Sequence, residues 1–263
     1  MKAVSAPAAA SSPAPDRRTM GQRLAAAKDL RVFSEEARLH PAAGGLFYQR
    51  IAISRCQEVQ LLRAMPSDES GDHAIRQRRA KAVEAIERLC GSFTDQELDL
   101  ARFIDPYEKA QAAQSKDPLL RLRLAAVGLN VQSDRQAADR ILADIVRTGD
   151  LMLIRTTPVG FDGEGFQFAG SKYRGPAEVS MYSAALLLAG CRLGEACGAD
   201  DYFVVKTCAG SGICKDGREQ AALALLTDQF KLTSEQTAEV LRLRDAMAAA
   251  LQAGDARPFL SKP

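Results

Sequence analysis

The sequence predicts an all-α protein of about eight to ten helices in antiparallel pairs, forming an irregular array broken by one loop rich in glycine and aromatic residues. Three observations carry this. Apolar residues recur at helical spacing in nearly every segment outside residues 155–176. Helix-start signals recur as well, including two capping boxes, Thr94 with Glu97 and Thr233 with Gln236. In each, the threonine hydroxyl is placed to accept from the amide three residues on while the longer side chain reaches back. Finally, four of the six cysteines fall between Cys191 and Cys214, threaded with Gly194, Gly198, Gly210 and Gly212. This is the pattern of short helices that break at glycines and are cross-linked.

At 263 residues the chain can bury a sizeable core. The expected organisation is a disordered Ala/Ser/Pro-rich leader over residues 1–18, then one helical domain over 19–263. Its halves, 19–154 and 177–257, are joined by the loop 155–176. Thirty-five basic side chains against 33 acidic ones leave a net charge of +2, which gives no electrostatic reason for a nucleic-acid or anionic-membrane partner. The densest basic cluster, Arg76, Arg78, Arg79 and Lys81, is followed by Glu84 and Glu87 and reads as a solvated helix face. No long apolar run is present, so no membrane span is expected.

Leu24, Ala27, Leu30 and Phe33 predict a first helix from Arg18 to Leu39, stopped by His40–Pro41 and Gly44–Gly45. A second runs from Leu46 to Met65 with Cys56 inside, and a third from Asp72 to Leu89, closing at Cys90–Gly91. The Thr94 box opens a fourth, which buries Leu98, Leu100, Phe103 and Ile104 before Asp105–Pro106 and restarts at Tyr107, Ala110 and Ala113. A fifth starts at Asp117–Pro118, with aspartate as cap and proline in the first turn, and a sixth at Ser133. Helices return at 177–191, 199–207 and 217–229, and from Thr233 to Ala253.

Three junctions share a grammar: Lys116–Asp117–Pro118, Gly149–Asp150 and Gly254–Asp255. In each a helix ends, twice at a glycine suited to the left-handed position, and an aspartate stands ready to cap the next segment. Around Tyr107, Ala110, Asp117 and Pro118 the chain resembles Sel1-like or tetratricopeptide helix pairs. The likeness covers some twenty residues and implies antiparallel helix pairing and no activity.

Candidate chemistry is sparse. The two histidines, His40 and His73, have no partner at metal-binding spacing. Ala209–Gly210–Ser211–Gly212 lacks the spacing of a phosphate loop, and Phe161–Asp162–Gly163–Glu164–Gly165 lacks the alternating ligands of a calcium loop. No cofactor and no metal is therefore expected. Residues 155–176 mix five glycines with Phe161, Phe166, Phe168 and Tyr173, a long irregular stretch that nominates these aromatics as a binding surface. The competing reading has them covering the chain's own core. Phe166 and Phe168 alternate about Gln167, as in a small hairpin. Asp162 and Glu164 become an acid–base pair if this loop lines a cleft.

The cysteines are the most constraining residues. Six residues of unbroken helix separate α-carbons by about 9 Å, beyond disulfide reach, so a glycine must end the helix after Cys191. Cys191–Cys197 and Cys208–Cys214 are the favoured bridges, with Cys56–Cys90 left by elimination. That last pair sits at levels some 13 Å apart in a plain helical hairpin, so it needs a longer turn or a stagger. Zinc on Cys191, Cys197, Cys208 and Cys214 is the lesser alternative, because structural zinc sites bring two cysteines closer in sequence. Cys-Arg-Leu-Gly-Glu-Ala-Cys-Gly at 191–198 and Thr-Cys-Ala-Gly-Ser-Gly-Ile-Cys at 207–214, with Cys-Gly-Ser-Phe-Thr at 90–94, resemble a loose set of uncharacterised proteobacterial helical proteins. The resemblance implies a shared helical, disulfide-bonded fold and brings no activity.

Function is not legible from these residues. The expectation is a non-catalytic helical protein of the bacterial envelope or secreted fraction, periplasmic or secreted, that binds another protein. The alternatives are a cytoplasmic protein with free thiols, since no export signal is visible, and a small hydrolase using Asp162 and Glu164.

Overall fold

In the computed structural model, which describes residues 18–64, 72–103, 116–127 and 134–260, the segment predicted as one helix from Arg18 to Leu39 is two. These are α1 (Met20–Ala26) and α2 (Leu30–Arg38). The break is made by Asp29, which lies in extended conformation and accepts hydrogen bonds from the amides of Arg31 at 2.8 Å and Val32 at 3.1 Å. A strong cap inside an amphipathic run ends one helix and starts another. A single 3-10 turn, Pro41–Ala43, then leads into α3 (Gly45–Ala64), so that α2 and α3 pack as an antiparallel hairpin.

α4 (His73–Cys90) is capped by Asp72, and α5 (Asp95–Phe103) by the predicted box, with both the Thr94 amide to Glu97 and the Glu97 amide to Thr94 bonds formed. Ile104, Tyr107, Ala110 and Ala113 lie outside the described residues. α6 (Pro118–Val127) comes next, then α7 (Arg135–Thr148), whose cap is Asp134; Ser133, the predicted opening residue, also lies outside the described residues. An unforeseen short helix, α8 (Leu151–Thr156), begins at Asp150. The hairpin appears as β1 (Phe166–Phe168) and β2 (Ser171–Tyr173), antiparallel, with Phe166 opposite Tyr173 and Phe168 opposite Ser171. α9 (Gly175–Arg192), α10 (Tyr202–Ser211), α11 (Arg218–Phe230) and α12 (Ser234–Gln252) complete the described residues together with a 3-10 turn at Arg257–Phe259. Among the described residues twelve α-helices therefore stand where eight to ten are predicted, the difference arising at the caps Asp29 and Asp150.

The fold is all-α, with helices in antiparallel pairs and one hydrophobic cluster running from Met20 to Phe259. α9 is its central helix. It buries Met181, Tyr182, Ala184, Ala185, Leu186, Leu188 and Ala189, most of its circumference, as expected of a helix covered on nearly all sides. The alanines let α12 approach closely, and α8, α11 and β2 cover the remainder.

All three predicted disulfides are present: Cys56–Cys90, Cys191–Cys197 and Cys208–Cys214, with α-carbon separations of 5.4, 5.8 and 4.3 Å. No cysteine is free, so the thiolates of the zinc alternative are already consumed. As the spacing demanded, α9 stops at Arg192 ahead of Gly194 (φ +92°), and α10 at Ser211 ahead of Gly212 (φ +72°). Cys56 and Cys90 meet because α4 packs mainly along α10 and less along α3, which frees the two helices from a level hairpin. In the chain-entropy picture this long-loop bridge contributes about 4 kcal/mol and each short one about 2 kcal/mol.

The junction aspartates act as their sequence grammar suggests. Asp150 accepts from the Leu153 amide at 2.8 Å after Gly149 (φ +66°), and Asp255 from the Arg257 amide at 3.0 Å after Gly254 (φ +63°). Asp117 does more. Fully buried at 0 % exposure, it accepts from the Leu120 amide in α6 at 2.9 Å and also from the Leu46 and Phe47 amides of α3 at 2.8 and 3.0 Å. One carboxylate thus serves two helix N-termini, where amides and dipole favour negative charge. We predict that Asp117→Ala lowers unfolding free energy by roughly 2–4 kcal/mol, the loss of two caps at a buried site. Asp117→Asn should recover less than half of that, because its amide group presents donors to donors. Urea denaturation reads both, and a loss near zero for Asp117→Ala would refute the double-cap role.

Candidate ligand-binding cleft

Where α8, α9, α10 and α11 converge, one arginine gathers the chain. Arg218, in the first turn of α11 and 6 % exposed, donates to both carboxylate oxygens of Asp201, Nε to Oδ1 at 3.0 Å and Nη2 to Oδ2 at 2.6 Å. It also donates to Glu195 Oε2 at 2.5 Å and to the Ala196 carbonyl at 3.3 Å. Asp201 is at the same time the cap of α10, accepting from the Phe203 amide at 3.1 Å. Glu195 sits in the loop closed by Cys191–Cys197 and is gripped a second time by Arg155 of α8, whose Nη2 donates to Oε1 at 2.9 Å while Nη1 pairs with Oε2. Gly190 lies under this pair: a β-carbon there would come 2.3 Å from the Glu195 carboxylate and 2.9 Å from Arg155, so a larger residue would push the paired side chains aside.

This network forms part of the wall of an open cleft of about 300 Å³, at the lower end of the range for small-molecule sites. Arg155 and Thr156 of α8, with Thr157 just beyond, make one side; Tyr182, Leu186 and Leu187 of α9 make another. Phe166 from the hairpin, Tyr202 and Phe203 from α10, Arg218 and Arg55 from α3 complete the wall together with Met152, Ser183 and Asp201. Arg55 stacks its guanidinium 4.5 Å above the Tyr202 ring, whose hydroxyl donates to the Arg55 carbonyl at 2.9 Å and to Glu58 at 3.1 Å. Glu58 is itself paired with Lys206 at 2.7 Å.

The electrostatics arise from this geometry. Burial alone raises the Glu195 carboxyl, but Arg155 and Arg218 outweigh it and hold the group below its ordinary 4.5. Burial lowers Arg218, yet its bonds to Asp201 and Glu195 leave it above its ordinary value. Burial pushes the Tyr202 and Tyr182 hydroxyls upward, so both stay protonated at neutral pH. Arg55 is shifted down by burial, with too little opposite charge beside it to cancel that effect.

Of the sequence-nominated residues, Phe166 is the one that reaches the cleft. It stacks on Tyr182 with centroids 4.6 Å apart and meets Phe161 edge-on at 5.6 Å. Phe168 is buried edge-on against Phe259, and Tyr173 is buried beside Tyr182. The four aromatics thus pack within the chain, with Phe161 and Phe166 half-buried at its edge. Gly160 (φ +81°) permits this, because a β-carbon there would come 2.5 Å from the Tyr182 hydroxyl, which donates to the Val159 carbonyl.

Asp162 and Glu164 are not on the cleft wall. The Asp162 side chain is 4 % exposed, accepts from the Glu164 and Gly165 amides at 3.1 and 3.0 Å, and faces Lys172 at 3.5 Å. Burial raises its carboxyl, but those amides and Lys172 win and hold it low. Glu164 is 63 % exposed and paired with Arg174. The two carboxylates fasten the hairpin turn. The six cysteines are all paired in disulfides, and among the described residues no group of three His, Cys, Asp or Glu side chains forms a metal site. No helix there is long and apolar enough to cross a membrane.

Sequence reasoning passed over Arg55, Arg155, Thr157, Glu195, Asp201, Tyr202 and Arg218. They come from five separate segments, and each reads locally as an ordinary surface residue or cap. Comparison with known proteins adds no family to this geometry: no family model, no curated protein and no solved structure matches the chain.

Two outcomes are expected. Arg218→Met should cost roughly 3–5 kcal/mol of stability, because it leaves Asp201 and Glu195 facing each other without their shared cation. A chemical melt measures it, and a cost under about 1 kcal/mol would mean that the network is only surface decoration. The second concerns acid. Since the folded-state value of Glu195 lies below 4.5, its stabilisation is complete above pH 4.5 and lost as pH falls through the lower folded value. Glu195→Gln should therefore be less stable than the parent at neutral pH and lose less on acidification, as followed by urea midpoints between neutral pH and the onset of acid unfolding.

Proposed function

We propose that this chain is a non-catalytic, disulfide-bonded helical binding protein of the bacterial envelope or secreted fraction, and that its ligand occupies the cleft between α3, α8, α9 and α10. The observation that carries the reading is the cleft wall itself. Its acidic partners, Asp201 and the adjoining Glu195, are each paired with arginine and so are occupied as structural anchors, while a donor-rich pocket remains open beside them. Three closed disulfides and no free thiol favour an oxidising compartment over the cytoplasm. The hydrolase reading loses its support in the placement of Asp162 and Glu164, which are bound to Lys172 and Arg174 away from the cleft.

The test is isolation from a native host. Cells are fractionated under an alkylating agent, the chain is recovered, and its intact mass and any small molecules released on denaturation are measured. Recovery from the exported fraction with no alkylated cysteine, and with a recurrent small molecule in near-stoichiometric amount, is expected. Cytoplasmic recovery with six alkylated cysteines would overturn the location and the oxidised framework, and an empty protein would overturn the binding role.

A further inference from the structure

We propose that the cleft takes a small organic monocarboxylate with an apolar body, and that Arg55 is the group that receives the carboxylate. The inference rests on the cleft being a binding site and adds the chemistry of its ligand.

Three arginines line the wall, and two are already answered. Arg155 is engaged by Glu195, and Arg218 by both Glu195 and Asp201. Arg55 is different: among the described residues no carboxylate lies within ion-pair distance of its guanidinium, and its contact is the face of the Tyr202 ring. Glu58, the nearest candidate on its own helix, is taken by Lys206 and the Tyr202 hydroxyl. A half-buried guanidinium set on an aromatic face, beside an open cavity, is a preorganised receptor. The ring fixes its plane, and its fork of donors matches the two oxygens of a carboxylate.

The same wall limits the charge of the guest. Asp201 and Glu195 stand close by as fixed negative charges, so a dianion such as a phosphate monoester meets repulsion that one unanswered cation does not offset, whereas a monoanion matches Arg55 alone. The hydroxyl of Thr157, a residue of the same wall at 4 % exposure, has no hydrogen-bond partner among the described residues, which leaves a second donor at the site. The rest of the lining sets the body of the ligand. Met152, Phe166, Leu186, Leu187 and Phe203 offer apolar and aromatic surface, so a compact branched or aromatic acid fills the cavity and a sugar acid does not.

The experiment is calorimetric titration of the purified, oxidised protein with phenylacetate and 4-methylpentanoate, against phenylacetamide as the uncharged counterpart and phenyl phosphate as the dianion. Binding of at least one acid at millimolar concentration is expected, about tenfold or more tighter than the amide, with phenyl phosphate weaker than the acid. Arg55→Gln should abolish the preference for acid over amide, with Arg55→Lys between the two, each variant first checked for an unchanged melting temperature and circular dichroism. The acid-against-amide comparison on the parent protein needs no variant and stands if Arg55→Gln fails to fold. Equal binding of acid and amide, tighter binding of phenyl phosphate, an acid preference that survives in Arg55→Gln, or no binding by either acid would overturn the assignment. If an acid binds with the expected preference and is recovered chemically altered, the ligand class stands and the non-catalytic reading falls.

Discussion

The bidentate pairing of Arg218 with Asp201, extended through Glu195 to Arg155, is the interaction on which the second half of the molecule depends. It ties the N-terminus of α11 to the cap of α10, to the disulfide loop after α9, and to α8. Burying such charges is costly, and they repay it only when every donor and acceptor is met. Here the arginine has two carboxylates and a backbone carbonyl, and each carboxylate has a second partner, an amide for Asp201 and another arginine for Glu195.

That arrangement is what opens the cleft. α9 is buried on most sides, and the loop that Cys191–Cys197 closes follows directly on its C-terminus, where Asp201, Tyr202 and Phe203 at the start of α10 form part of the cleft wall. The disulfide and the ion network act on the same few residues: the bridge shortens the loop and Glu195 anchors it to two helices. Gly190 shows how tight the fit is, since a single methyl group would occupy the place of the Glu195 carboxylate. Rigid walls of this kind suit recognition, because little ordering is left to be done when a ligand arrives.

Asp117 plays a comparable part with one charge. It lies immediately before α6 yet bonds to the start of α3, seventy residues away in sequence. Local capping and tertiary docking thereby share one carboxylate, and the helix pair cannot separate without exposing the Leu46 and Phe47 amides. Tyr48 of α3 and Asp150 of α8 repeat the idea, with the tyrosine hydroxyl bonded to a second capping aspartate at 2.8 Å.

The sequence by itself determined whatever depends on short range. Helical periodicity and the caps at Thr94, Asp117, Asp150 and Thr233 placed most helices, because a cap is a contact over three residues and needs no distant partner. The bridges Cys191–Cys197 and Cys208–Cys214 were legible for the same reason: six residues of helix are too long to close, and a glycine stood within each loop. Even Cys56–Cys90 was reached once the other pairs were formed. Asp29 as a cap was passed over, because amphipathic spacing runs smoothly through it, and the short helix that Asp150 caps went unpredicted because an aromatic, glycine-rich stretch follows it. Only the tertiary structure decided the cleft. Arg55, Arg155, Glu195, Asp201 and Arg218 are scattered from one half of the chain to the other, and a charged side chain on a helix looks the same in sequence whether it faces water or a buried partner. Desolvation and pairing are the properties that separate them, and these come into being when residues of α3, α8, α9, α10 and α11 meet at the cleft.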